Sequence, residues 1–361
     1  MKIRKFLKDF VPYSWEPSTD EIANSVGKNP EDIVRFDTNV SHKTPISWLK
    51  KLSDDFNTLE INRYPDSSYI SVRKLLAEYC SCDIDEIILT NGADEGLFMT
   101  GSLFIEPSSN VILSTPTYSY YEKMVQILGG NVLEVKRNSD FSDNFKEISN
   151  TIDEMTSLII LCSPNNPTGN VVDKRSLENL LNNSNIPIVV DEAYYEYTGS
   201  TVLDLINTYD NLIVIRTFSK AFGLAGLRVG YIISSKSSTS LLNKVRPPNS
   251  VGELSVTLSK IALQDISWVN NNVKEILMEK QSFIERISTI KNIKIIPSSS
   301  NFMLLQFTNK DGFSIYNELL NKGIVVRDVS GAKGLENCIR INIGLKPEND
   351  KLIQALEEVS L

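Results

Sequence analysis

IPIVVDEAYY (186–195) and NLIVIRTFSKAFGLAGLRVGYIISS (211–235) hold three apolar runs of strand length, each ending at a polar or glycine-rich segment. A run that is apolar at every residue, not at alternate ones, belongs to a strand buried on both faces of its sheet. The pattern extends toward the N-terminus through SLIILCSP (157–164), NVILS (110–114) and IILT (87–90). Helical stretches separate these runs, among them GADEGLFMTGSLF (92–104) and YSYYEKMVQILG (118–129). Strand and helix in alternation predict an α/β fold with a mostly parallel central sheet. After RPPNS (246–250) a helical segment runs to about residue 290, followed by IKIIP (293–297), NFMLLQF (301–307), IVVRD (324–328) and CIRINIG (338–344). The expected division is a large α/β domain over 40–245 and a smaller α+β domain made of 1–39 and 246–361, with RPP as hinge.

Bulk properties narrow the function. The 361 residues carry 37 Lys plus Arg against 45 Asp plus Glu, a net charge of -8, which argues against nucleic acid as the main partner. The N-terminus lacks the apolar core of a secretory signal, and no apolar run has membrane-spanning length, so the chain reads as cytoplasmic with no membrane partner. Four cysteines (Cys80, Cys82, Cys162, Cys338) show neither disulfide-framework nor zinc-site spacing, and Cys80 and Cys82 read as plain thiols. A single histidine, His42, removes His-rich metal sites, and no metal is expected. Proton transfer then falls to another side chain, with lysine as the leading candidate.

Four segments at strand ends carry chemistry. In TFSKAFGLAGLRVGY (217–231), Lys220 follows a buried strand, where desolvation favours the neutral amine that condenses with an aldehyde. Ser219 and Arg228 in the same string suit a dianionic phosphate. In VVDEAYYEY (189–197), Asp191 ends an apolar strand, where a carboxylate calls for a cationic partner such as a protonated ring nitrogen; Tyr194 follows within reach of the same group. In SPNNPTG (163–169), two prolines and a glycine form a tight loop that aims Asn166 at the sheet edge. In TNGADEGL (90–97), a strand passes through Gly92 into a helix whose first N–H groups, at Ala93 and Asp94, are free to bind phosphate.

In this order and spacing the four segments resemble the class I/II aminotransferases of the aspartate aminotransferase fold, which depend on pyridoxal 5′-phosphate, and most nearly their histidinol-phosphate branch. The resemblance covers nearly the whole chain, from VPYSWEP to CIRINIG. It implies Lys220 as the lysine that carries the cofactor and shuttles the proton, with Asp191 as partner of the ring nitrogen. Asn166 and Tyr194 would contact the ring oxygen, and Tyr118 (in PTYSYY) would stack on the ring. Ala93, Asp94, Thr217, Ser219 and Arg228 fall on the phosphate cradle. Tyr64, in RYPD, matches a tyrosine donated across a dimer interface, which implies a homodimer with shared active sites. Arg340, Arg327, Tyr13 and Asn39 fall on the substrate side. The small molecules implied are an amino donor, here histidinol phosphate in histidine biosynthesis, and a 2-oxo acid, 2-oxoglutarate.

Three departures lie on that substrate side. FDTNVSHKTP keeps Asn39 but not the family's N-E-N-P element; PYSWEPS lacks the glycine of P-Y-x-P-G; RPPNSV lacks a tyrosine. Same-fold alternatives therefore remain, namely a threonine-phosphate decarboxylase or an aromatic or aspartate aminotransferase. A regulatory protein built on the fold is not expected, because the fold's own residues begin near Tyr13.

Overall fold

The computed structural model describes every residue of the chain except 1, 9, 14 and 15. After a two-residue strand β1 (Val34–Arg35), seven strands build the main sheet. They are β2 (Ile87–Thr90), β3 (Asn110–Thr115), β4 (Asn131–Lys136), β5 (Thr156–Cys162), β6 (Ile188–Asp191), β7 (Leu212–Thr217) and β8 (Gly230–Ser234). Their spatial order is β2-β8-β7-β6-β5-β3-β4. The pairs from β7 to β4 are parallel. Alternate residues serve opposite cores: Ile159 and Leu161 pack on one side of the sheet, Leu158 and Ile160 on the other. This is why the runs are apolar throughout.

Two features differ from the sequence expectation. The run 228–235 reads as one more strand of a parallel-type sheet, yet β8 is antiparallel to both neighbours, β2 and β7. Only a short loop without a full crossover helix joins β7 to β8, and a parallel return needs the longer crossover. The helix expected from Tyr118 begins at Tyr120, which leaves Tyr118 in the loop behind β3.

A second sheet, β9 (Ile293–Ile296), β10 (Phe302–Phe307), β12 (Arg327–Asp328) and β13 (Cys338–Asn342), is antiparallel in the order β12-β13-β10-β9. Between them in sequence β11 (Ile324–Val325) pairs parallel with β1, tying the N-terminal segment to this part. Val34 and Phe36 share a core here with Phe283, Met303, Leu305 and Ile341. Val251, Val256, Ile261, Val269 and Val273 instead pack on the large core. The helix Ile266–Ile287 spans both cores: its first half faces the large one and its end, at Phe283 and Ile287, faces the small one. Among the described residues no helix is long and apolar enough to cross a membrane.

Candidate active site

The C-terminal ends of β2, β5, β6 and β7 meet the start of β8 at one edge of the main sheet, with Gly230 in register with both Thr90 and Thr217. Loops leave the sheet there, and a cavity of about 450 Å³ opens between them and the antiparallel sheet. All the candidate residues named from the sequence line this cavity except Tyr64, which is 87% exposed and lines no part of it.

Lys220 leaves β7 one turn after Thr217, and its Nζ donates to the Thr38 carbonyl at 3.0 Å. Burial lowers the amine to about 8, with Arg340 and Arg228 pushing the same way and Asp94 opposing. Asp191, the last residue of β6, is 4% exposed. Its carboxylate accepts the Tyr121 hydroxyl at 2.7 Å and the Ala193 N–H at 3.0 Å. Burial nevertheless pushes it up to about 6. An amine drawn toward neutrality and a carboxyl short of positive charge therefore share one cavity.

The second wall is built by close backbone approach. Gly92 opens the helix Gly92–Phe104 at φ +79°, and a Cβ there would meet Arg228 Nη2 at 2.9 Å. A Cβ on Gly230 would stand 2.5 Å from the Gly92 carbonyl carbon and 2.6 Å from the Ala93 nitrogen. Glycine at both places brings β8 and Arg228 against the first turn of the helix. The unpaired N–H groups of that turn and the Arg228 guanidinium then form one anion-seeking surface. Thr217 Oγ1 donates to Ser219 Oγ at 2.9 Å, and Arg228 Nη2 bonds Asp94 Oδ2 at 2.9 Å.

The third wall comes from the antiparallel sheet and the N-terminal segment. Arg340 Nη1 donates to Asn166 Oδ1 at 2.6 Å and Nη2 to the Asp37 carbonyl. Asn39, at φ 55°, donates through Nδ2 to the Tyr194 hydroxyl at 3.1 Å. Arg340 Nε and Asn39 Oδ1 are buried without a hydrogen-bond partner. Arg327 stands directly opposite Arg340 in the β12–β13 register, so the two side chains rise from one face of that sheet. The ring of Tyr13 lies 6.2 Å from that of Tyr118, edge to face; Ser14 and Trp15 of the same motif lie outside the described residues.

Sequence reading missed four contributors: Tyr121 on Asp191, the Thr38 carbonyl on Lys220, the Asp37 carbonyl on Arg340, and Glu16, which bonds Arg327 at 2.8 Å. His42 is not in the cavity; its Nε2 meets the Ile343 carbonyl at 2.9 Å. Taken together, the site offers a near-neutral amine, a buried carboxyl, an amide-and-guanidinium cradle that any Cβ at Gly92 or Gly230 would fill, and orphaned polar atoms opposite. That donor set fits a phosphorylated pyridine aldehyde.

A family model described as aminotransferase class I and II matches residues 31–356. A histidinol-phosphate aminotransferase of Flavobacterium psychrophilum is 39% identical over 300 residues, 82% of this chain and 86% of that protein. Another, from Methanocaldococcus jannaschii, is 32% identical over 365 residues, 99% of this chain and 97% of that protein. The crystal structure of histidinol-phosphate aminotransferase from Sinorhizobium meliloti in complex with pyridoxal-5′-phosphate superposes with a TM-score of 0.88. At 23% identity over 99% of this chain and 97% of that one, it speaks for the fold. Because the family match runs through both cores and along the cavity wall from Asp37 to Arg340, the chain belongs to the class I and II aminotransferases, which are pyridoxal-phosphate-dependent enzymes.

Proposed function

We propose that the enzyme moves the amino group of histidinol phosphate to 2-oxoglutarate, a step of histidine biosynthesis. The observation that carries this reading is the pair Arg327 and Arg340, in register on adjacent strands and both lining the cavity that holds Lys220. Two guanidiniums suit the charge and the acceptor oxygens of a phosphate monoester better than those of one carboxylate.

Bound pyridoxal phosphate supplies an aldehyde that condenses with amines and a ring that draws electrons from the substrate's Cα. In our assignment Lys220 would hold the group, and its Nζ is the base that would move a proton at the substrate's Cα. Its lowered proton affinity leaves a fraction of the amine neutral near physiological pH, as a base must be. Asp191 would hold a cation at the ring nitrogen, its carboxylate oriented by Tyr121 on Oδ2 and by the Ala193 N–H on Oδ1. Asn166 has its Oδ1 occupied by Arg340, so its Nδ2 is turned to donate. Tyr194 would join it at the ring oxygen, Tyr118 would pack on the ring, and Ala93, Asp94, Thr217, Ser219 and Arg228 would cradle the phosphate. Tyr13 and Asn39 close the substrate side.

We further propose a cytoplasmic homodimer. The four cysteines are free, and Ile46, Phe56, Ile61, Tyr64 and Ile70 are exposed apolar residues of one short segment. Such a face suits a second copy of the chain, with Tyr64 reaching the partner's cofactor. The test of the reaction is spectroscopic. Holoenzyme mixed separately with histidinol phosphate and with L-glutamate should pass from the yellow to the pyridoxamine form. Carbon dioxide release from threonine phosphate, or a response only to aromatic amino acids or aspartate, would overturn the assignment of substrate.

A further inference from the structure

Glu16 is an acidic side chain in the wall that we read as binding an anion. It lines the cavity, and its Oε1 accepts from Arg327 Nη1 at 2.8 Å and from the Tyr13 hydroxyl at 3.4 Å. The pair is only partly shielded, with side-chain exposures of 26% for Arg327 and 31% for Glu16. The segment on its C-terminal side is pinned. Arg35 Nη1 donates to the Pro17 carbonyl at 2.9 Å, and Ser18 and Glu21 form a reciprocal cap on the helix Thr19–Val26. On its N-terminal side residues 10–13 belong to no helix or strand. Glu16 therefore stands in the cavity wall beside an anchored base.

Charge counting gives this placement a consequence. Arg327 and Arg340 together offer two positive charges to a ligand, and Glu16 cancels one of them while it remains paired. A monoanion meets a balanced site. Glu16 holds Nη1 of Arg327, so a phosphate dianion that takes both guanidiniums competes with it for that nitrogen, and a carboxylate left beside the phosphate would repel it.

We propose that Glu16 is a specificity-determining residue: it occupies Arg327 in place of a substrate anion and gives way when a dianion binds, so that it sets the affinity for phosphorylated substrates. The proposal rests on the reading of Arg327 and Arg340 as the substrate-anion pair. A conformer that must first open lowers apparent affinity by the fraction that is competent, and for a half-exposed ion pair that fraction is modest.

The test compares holoenzyme of the wild type with Glu16→Gln, Arg327→Gln and the double variant. The amine-dependent spectral half-reaction is followed with histidinol phosphate and with unphosphorylated histidinol, and inorganic phosphate is titrated as a competitor. Glu16→Gln should tighten histidinol phosphate and inorganic phosphate by about five-fold, more than it alters histidinol, and have no effect once Arg327 is gone. Unchanged or weaker phosphate binding in Glu16→Gln would overturn the proposal and make Glu16 a brace for Arg327. Should histidinol phosphate prove not to be a substrate, the amino donor assignment fails separately. Competition by inorganic phosphate against whichever amine reacts still decides the role of Glu16.

Discussion

Asp191 accepts hydrogen bonds from Tyr121 and Ala193 and makes no ion pair among the described residues. With its carboxyl raised from the ordinary 3.8 to about 6, the folded cofactor-free chain binds more protons than the unfolded chain between those values. Its contribution to stability is therefore lost as pH rises through that window, the reverse of a salt-bridged carboxylate. Asp191→Asn should make the cofactor-free protein more stable than the wild type at pH 7 by about 1–3 kcal/mol, and equal to it below about pH 4. Urea unfolding at the two pH values checks this; a deficit at pH 7 would mean that the carboxylate is already compensated. With cofactor the order should invert if Asp191 pairs with the ring nitrogen as proposed, since only the wild type then gains that contact. Asp191 was legible in the sequence because a carboxylate ending an apolar strand stands out. Tyr121 was not: it lies 70 residues away on a helix, where a tyrosine reads as core, and only the fold brings its hydroxyl to Asp191. Glu16 was hidden in the same way, in a motif read for its tyrosine.

At the scale of elements, the buried parallel strands announced themselves, and the exceptions have physical causes. β4 is an edge strand, NVLEVK, with exposed or half-exposed residues at most positions, so it gives no continuous apolar run. The direction of β8 depends on loop length, not on its own composition. The approach of β8 to the helix Gly92–Phe104 is the joint on which the proposed phosphate cradle depends, and Gly230 permits it. Gly230→Ala would place a methyl against the Gly92 and Ala93 backbone, which has no flexible side chain to yield. We expect a loss of about 1–3 kcal/mol in unfolding free energy together with weaker cofactor retention, since the helix N-terminus must back away. Gly226→Ala, where a Cβ meets nothing within 4 Å, is the matched control in the adjoining loop and should change neither. Equal effects in the two variants would remove the joint from the account. Urea titration and the rate of cofactor loss on dialysis report the two quantities.

For the whole molecule the open matter is whether one chain completes a site. The cavity is lined by residues of a single chain, but Tyr64 stands outside it on an exposed segment rich in apolar side chains. If Tyr64 serves the partner's cofactor, lesions at Lys220 and Tyr64 fall on different sites when they are carried by different chains. In a hybrid of a Lys220→Ala chain with a Tyr64→Ala chain, one site then collects both defects and the other has none. Exchange between equal amounts of the two variants should yield about a quarter of wild-type activity, since half of the dimers are hybrids and each has one sound site. The assay is run at a cofactor concentration at which each parent alone is silent. If Tyr64 served its own chain, every site in the mixture would keep one lesion and activity would stay at the parental level. Sedimentation of the mixture reports whether dimers form: a silent mixture of dimers would count against sharing, and a monomer would count against the proposed interface itself. The same hybrid separates a structural from a chemical role for the exposed segment. A Tyr64→Ala chain that still pairs and rescues its partner has kept the interface and lost only the contact to the cofactor.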